Sequence, residues 1–419
     1  MADAGSAGHD RAGLRFRGCH RHLFRVLSRE ESGAPRSDRS APLRVGRTIR
    51  FDVWRAHRVS RLIASGALAA FLVFALGLFV LGPVRGHAPR AAGLIPTDPD
   101  LKVAFIGDSD NGAAFRRVLE LIKSEGAHMV LHQGDFDYAE NARRFFGTID
   151  SVLGSDFPYF ASIGNHDAAS WRQNCRDPNG CYTGFLKARM ARIGVTPDHP
   201  DLDDQMYSVS YRGLKLVFVG EAGAGTGDDV YASYIQDRLA TDDHIWKICS
   251  WHKNQRAMQV GDKDDEMGWQ VYETCKDLGA IIATAHEHSY HRTRTLTSTK
   301  EQIVDASCPD PDTICIAKGS PGKSFVFVSG LGGHGIRGQQ RCLPATFPYG
   351  CKGEWAKIYT ARQGARFGAL FIVFNVNGDP TRAQGYFKNV NGQVVDRFDV
   401  TVDATASRPF SSGPRASPR

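Results

Sequence analysis

Carboxylate, phenol, amide and imidazole groups recur immediately after a series of short apolar runs. Asp108 follows the first run, in GDSD. Asp135 and Tyr138 follow the second, in GDFDY, and Asn165, His166 and Asp167 follow the third, in GNHD. His252 ends IWKICSWH, and His286 and His288 stand in AHEHSYHR. A lone Gly-Asp is usually a turn or a helix cap, and a lone His-x-His is a weak signal. Five separate segments that each deliver a metal-ligating group describe something more specific. Oxygen donors with a phenolate suit a hard, highly charged ion, and imidazoles suit a borderline divalent one.

The elements that must position these groups alternate in type. LKVAFIG (101–107), HMVLHQG, PYFASIG, LKLVFVG, IWKICSWH and AIIATAH are apolar runs of strand length. NGAAFRRVLELIKSEG (111–126) carries apolar residues at helical spacing and stops at Gly126. A second helix opens after GDFDY, and DEMGWQVYETCKDLG reads as a third. SFVFVSG, GALFIVFNVNG and RAQGYFKNVNGQVVDRFDV close the chain with strands and Asn-Gly turns, which is hairpin chemistry. The pattern predicts an α/β domain with mixed sheets. The candidate residues then fall at the carboxyl ends of strands, where ligand sites of open sheets assemble.

The ordered series GDxx, GDxxY, GNH[DE], xxxH and HxH resembles the calcineurin-like metallophosphoesterases, and within them the purple acid phosphatases. The resemblance spans about 98–402. AHEHSYHR is close to the family's GHxHxYxR, with Ala285 in place of Gly, and SGLGGHG (329–335) is similar to a glycine-rich segment near the family's end. The resemblance implies a four-layer αββα sandwich and two metal ions. It assigns Asp108, Asp135, Tyr138 and His288 to the first ion, and Asp135, Asn165, His252 and His286 to the second. Most calcineurin-like enzymes place a metal-binding His where this chain has Asp110. In the purple acid phosphatases a tyrosinate replaces it, which is the position of Tyr138. The implied metals are Fe(III) plus Zn, Mn or Fe(II). Two ions ~3.5–4 Å apart would neutralise the phosphoryl oxygens of a phosphate ester and supply a bound hydroxide for in-line attack. His166 resembles the catalytic histidine, which binds phosphate or protonates the leaving oxygen, and Asp167 is expected to hold His166 in orientation.

Other candidates carry less. His132, His291 and His334 lie near the motifs and read as supporting or packing residues; His128, His199 and His244 read as surface. DKDDEMG (262–268) lacks the ligand spacing of a calcium loop and reads as a solvated loop.

The chain has 419 residues and a net charge of +7. Residues 1–61 hold 14 Arg, no Lys and 6 acidic residues; the remainder holds 38 basic and 39 acidic. The basic excess therefore belongs to a tail that reads as disordered, and a nearly neutral remainder argues against a nucleic-acid partner. LIASGALAAFLVFALGLFVLG (62–82) has 21 uncharged residues, the length of a membrane-spanning helix. Flanking arginines predict an anchor with a cytoplasmic N-terminus; a cleaved signal peptide is the competing reading. Residues 83–97 then form a linker, 98–404 the catalytic domain and 405–419 a loose tail. The domain would face the periplasm, the cell surface or an organelle lumen. Eight of nine cysteines lie beyond the apolar segment, as disulfides in an oxidising compartment require. Close spacing suggests Cys175–Cys181, Cys308–Cys315 and Cys342–Cys351, leaving Cys249–Cys275, which the sequence also allows to be free buried thiols. The expected activity is hydrolysis of phosphate monoesters. A phosphodiesterase of the same fold is the near alternative. A non-enzymatic surface scaffold should have lost ligands, and none is missing.

Overall fold

The computed structural model describes residues 93–172, 175–176, 180–199, 205–220 and 228–404. The basic tail, the apolar segment 62–82, most of the linker and the C-terminal tail lie outside the described residues. Among the described residues no helix is long and apolar enough to cross a membrane.

WKICS is buried along its whole length and LKVAFI at every position but Lys102, because parallel strands at the centre of a sheet have both faces covered. Two seven-stranded mixed sheets result. The first runs from edge to edge as β11 (Thr313–Ala317), β16 (Val394–Asp403), β15 (Arg382–Asn389), β14 (Gly368–Phe374), β1 (Leu101–Ile106), β2 (Met129–His132) and β3 (Tyr159–Ala161). The second runs β13 (Trp355–Tyr359), β8 (Tyr290–Thr293), β12 (Val326–Ser329), β7 (Ile281–Thr284), β6 (Trp246–Ser250), β5 (Leu214–Phe218) and β4 (Tyr207–Tyr211). A ribbon of β9 (Leu296–Ser298) and β10 (Ile303–Val304) stands apart. Strands β1, β2 and β3 are mutually parallel, as are β5, β6, β7 and β12. The Asn391–Gly392 turn joins β15 to β16 as an antiparallel hairpin, with Gly392 at φ 84°.

The sheets pack face to face in one apolar core. Phe105 of β1 meets Phe327 of β12 edge-on at 5.1 Å, and Trp246 of β6 meets Phe374 of β14 at the same distance. Helices close the outer faces. In α1 (Ala113–Ser124), Phe115, Val118, Leu119 and Ile122 form one buried stripe. The chain leaves α1 through Gly126 at φ 66°, the left-handed exit that glycine favours. Asn141 caps α2 (Ala142–Leu153) by accepting from the Arg144 N–H at 3.0 Å. These two helices and α3 (Tyr182–Arg192) join the core of the first sheet. On the far side of the second sheet, α4 (Asp228–Leu239) and α5 (Trp269–Asp277) bury Ile235, Leu239, Val271 and Tyr272 against Val217, Cys249 and Ile282. The order is helix, sheet, sheet, helix.

All four cysteine pairs suggested by spacing are bonded: Cys175–Cys181, Cys249–Cys275, Cys308–Cys315 and Cys342–Cys351. Cys249 and Cys275 are not free thiols; their bond ties β6 to α5.

One polar pair bridges the two sheets. Arg292 of β8, with no exposed surface, donates from Nε and Nη2 to Asp396 of β16 at 2.9 and 3.1 Å. Tyr290 donates to the same carboxylate at 2.6 Å, and the guanidinium lies 4.0 Å over Phe398. The Tyr and Arg of AHEHSYHR thus join the sheets. Burial alone would raise the Asp396 carboxyl, but Arg292 and Tyr290 outweigh it and hold it below its ordinary value. A carboxyl depressed in the folded state contributes stability above its unfolded value, near pH ~4, and loses it as the pH falls through the folded one. Asp396→Asn should cost about 3–5 kcal/mol, because it leaves Arg292 buried and unpaired. It should also flatten the acid limb of a stability profile, read by urea unfolding between pH ~3 and ~7.

Candidate metal centre

Every singled-out group stands within a few residues of a strand's carboxyl end. Asp108, Asp135 and Asn165 follow β1, β2 and β3, whereas His252 and His286 follow β6 and β7. His288 leads into β8. The two sheets therefore present their ligands to one another across a shared edge. Backbone bonds lock that edge: Asp108 N–H to Gly134 O at 3.1 Å, Ser109 N–H to Asp135 O at 3.0 Å, and Ala285 N–H to His252 O at 3.2 Å. Between the sheets, the His286 N–H donates to Asp108 Oδ2 at 2.9 Å.

The approach is close enough to forbid side chains. A Cβ on Gly164 would collide with Asp135 N and Oδ1, and one on Gly330 would overlap Asp108 Oδ2. Asp108, Asp135, Tyr138 and His286 all adopt positive φ, between 53° and 68°. Such backbone costs non-glycine residues about 1–3 kcal/mol each and persists where surrounding bonds over-determine it.

The donor atoms fall into two adjoining sets. In one, Tyr138 Oη lies 3.2 Å from Asp108 Oδ1 and 3.3 Å from His288 Nε2, and His288 Nε2 lies 3.4 Å from Asp108 Oδ1. In the other, His252 Nε2 lies 3.2 Å from Asp135 Oδ2 and 3.0 Å from His286 Nδ1. His252 Nε2 is also 4.0 Å from Asp108 Oδ1, which joins the sets. Asp135, His252 and His286 can offer three ligand atoms within 4.8 Å of one another. Asn165 Oδ1 is buried without a hydrogen-bond partner. A buried amide oxygen with no hydrogen-bond partner suits a metal ligand. The residues present fit a pair of metal ions.

Two of the imidazoles are oriented from behind. Gln133 O can only accept, so His252 Nδ1 donates to it at 2.7 Å and Nε2 is turned to the ligand set. Glu266 Oε2 lies 2.9 Å from His286 Nε2, which leaves Nδ1 as the binding atom. Burial lowers the proton affinity of His286, to a pKa of about 3, and also lowers that of His288. Both are neutral, ligand-ready imidazoles. Burial pushes Asp108 up to about 7, with His252 opposing and Asp135 reinforcing. Burial opposes a charge on His252, but Asp135 and Asp108 overcome it and raise His252 to about 9. Cation entry at neutral pH therefore displaces protons. Burial, with the Asp108 and Asp135 charges behind it, raises the Tyr138 phenol, so a phenolate here needs a nearby cation.

Asp167 departs from expectation. It does not orient the His166 ring. Its Oδ2 accepts from Asp135 N–H at 2.8 Å and Gly164 N–H at 2.7 Å, and its Oδ1 from Phe136 N–H at 2.8 Å. The carboxylate is consumed in joining the GDFDY and GNHD loops. His166 is exposed, its N–H donates to Asp135 Oδ1 at 2.9 Å, and its ring lies 4.6 Å from that of Tyr138. His334 also stacks on Tyr138, with ring centroids 3.6 Å apart, and its Nδ1 lies 3.6 Å from Asp110 Oδ2. His132 and His291 are fully buried packing residues. His128 is exposed, but His244 is buried against Asp242 rather than on the surface. DKDDEMG is not simply a solvated loop. It supplies Glu266 to His286 and places Lys263 against the His286 carbonyl. Local sequence carries no signal of this, since the contacts are made only after folding.

A family model for calcineurin-like phosphoesterases matches residues 101–290, which include every donor above. Residues 101–290 are therefore similar to a calcineurin-like phosphoesterase domain. This is the fold of a metal-dependent phosphoesterase. The structure is similar to that of purple acid phosphatase PPD1 from seeds of yellow lupin (Lupinus luteus), with 16% identity and a TM-score of 0.54. That match covers 77% of this chain and 58% of the lupin chain, so the protein spans little more than half of that enzyme. Two more distant matches are PhoD, with 11% identity, TM-score 0.46 and coverage of 77% and 73%, and GAP50, the anchor in the inner membrane complex of Plasmodium, with 11% identity, TM-score 0.44 and coverage of 75% and 99%. At these identities the likeness is one of fold. No curated protein sequence matches the chain.

Glu266→Gln should keep the fold, because the carboxylate is a quarter exposed, with 23% of the side chain accessible. It should weaken binding of the second metal about 10–100-fold, the usual cost of losing a partner that orients a ligating histidine. Metal content after dialysis against graded chelator checks this.

Proposed function

We propose that the protein is a membrane-anchored, exported phosphohydrolase that cleaves phosphate monoesters at a dinuclear centre of Fe(III) with Zn, Mn or Fe(II). The observation that carries the reading is the meeting of Asp108, Asp135, Tyr138 and Asn165 from one sheet with His252, His286 and His288 from the other. The uncharged 62–82 segment and four disulfides support the anchor and an oxidising compartment. A tyrosine in the donor set supports a trivalent ion.

When bound, the metals supply charge neutralisation of the phosphoryl oxygens and an acidified water. The chain supplies the rest. Asp135 would serve both ions, as the family resemblance assigns, and it holds the His166 backbone through its own Oδ1. His166, exposed and carried on the loop that Asp167 fixes, is placed to donate a proton to the leaving oxygen. Gly164 and Gly330 let the backbone approach Asp135 and Asp108 more closely than any side chain would allow.

Asp135→Asn should abolish turnover of an aryl phosphate and metal retention together. His166→Ala should retain both metals and lose about 10²–10⁴ in kcat; full activity in either variant would contradict the assignment. The absorption spectrum of the purified protein separates the metal readings. A visible band that disappears in Tyr138→Phe supports a tyrosinate bound to Fe(III). A colourless protein holding two divalent ions would exclude iron and leave Tyr138 a packing residue.

A further inference from the structure

One imidazole at the first donor set has no part in the proposed reaction. His334 lies in SGLGGHG and stacks on Tyr138, with ring centroids 3.6 Å apart and planes 15° from parallel. The same ring meets His288 edge-on at 5.4 Å. It therefore packs against both side chains whose donor atoms, Tyr138 Oη and His288 Nε2, lie 3.3 Å apart.

Backbone contacts fix His334 in this place. Its N–H donates to Asp108 O at 2.8 Å, and the Gly332 N–H donates to Gly107 O at 2.9 Å. A Cβ on Gly333 would collide with Ser109 O and the Phe115 backbone. The glycines thus let SGLGGHG lie flat on the GDSD loop, and that contact delivers the His334 ring to Tyr138. Asp110 stands beside it, with Oδ2 3.6 Å from His334 Nδ1, while its Oδ1 accepts from the Asn111 N–H at 2.5 Å. Asp110 occupies the position where most calcineurin-like enzymes have a metal-binding His. Its described contacts run to His334 and to its own loop, not to the donor atoms.

Tyr138 depends on such support. A phenol ring turns over a broad range about its Cβ–Cγ bond unless a face is covered. Its hydroxyl contacts are long, at 3.2 and 3.3 Å. The other rings near it are His166, which is exposed, and His288, edge-on at 6.3 Å. Only His334 lies parallel to the phenol and close against it.

We propose that His334 is a positioning residue for the first metal, clamping the Tyr138 ring so that Oη faces Asp108 and His288, with Asp110 acting as its anchor and not as a ligand. This rests on the reading of Tyr138 as a metal ligand, and the test separates the two. The metal-free full chain is titrated with Fe(III), supplied as its nitrilotriacetate complex, and the visible band, the iron content and the chelator concentration that strips the iron are recorded. His334→Ala should fold and bind the same number of ions, since the side chain is 39% exposed and lies outside the donor set. Its band should move, because groups behind a ligand tune the metal. The stripping concentration should fall about two- to tenfold, the worth of one aromatic pair. His334→Phe keeps a ring in place and should return both readings to wild type. Asp110→Asn should retain every ion. An unchanged band and stripping concentration in His334→Ala would overturn the clamp and leave Tyr138 a ligand. So would a His334→Phe variant that behaves like His334→Ala. Loss of an ion in Asp110→Asn would make that carboxylate a ligand and overturn its assignment to His334. A wild type that binds Fe(III) without a visible band would overturn the ligand reading of Tyr138, and the clamp with it.

Discussion

Three backbone N–H groups converge on the buried carboxylate of Asp167. That convergence forces the GNHD loop onto the GDFDY loop. It brings Gly164 so near Asp135 that no Cβ fits between them, and it aims the Asp135 side chain at His252. Asp135 in turn holds the His166 backbone. A carboxyl group with no exposed surface and three N–H donors behaves as a structural pin, and the position of Asp135 depends on it. The second sheet is registered on this edge by the peptide N–H of His286 on the Asp108 carboxylate and by those of Gly332 and His334 on the Gly107 and Asp108 carbonyls.

The electrostatics follow from the same crowding. Two buried carboxylates and three buried imidazoles within a few ångströms cannot all hold their ordinary charge states. Asp108 rises, Asp135 falls under the influence of His252, and His286 loses its proton affinity. Metal-free, the cluster is a compromise in which His252 retains a proton between two carboxylates. The arrangement becomes consistent only when positive charge replaces that proton, which is why the donor set and the orphaned Asn165 oxygen point the same way.

Much of this was legible in the chain. Apolar runs of strand length ended in the right residues, and period-3.6 stripes marked α1 and α5. The seven ligand candidates appear where the carboxyl ends of parallel strands meet. Cysteine spacing gave the disulfide pairs, although it could not decide whether Cys249 and Cys275 were bonded. What the sequence hid was made by folding. Strands β4, β8, β11 and β13 lack the long apolar runs of buried parallel strands, since they lie at or beside sheet edges or pair antiparallel. Asp167 read as a partner for its neighbour His166, because adjacency is visible in sequence and backbone N–H direction is not. Glu266 and Lys263 sat in an acidic stretch that resembles any solvated loop, and only the tertiary path of residues 261–268 carries them to His286.

The left-handed conformations of Asp108, Asp135, Tyr138 and His286 bear on how the chain matures. None of these backbones is favoured in an isolated segment, and each is stabilised by groups distant in sequence. The His286 N–H that satisfies Asp108 comes from 178 residues downstream. The ligand loops therefore cannot take their final shape while either sheet is incomplete, and local propensity opposes any early attempt. The complete donor set exists only where both sheets have formed, so the ability to capture metal reports that both halves of the chain have found each other.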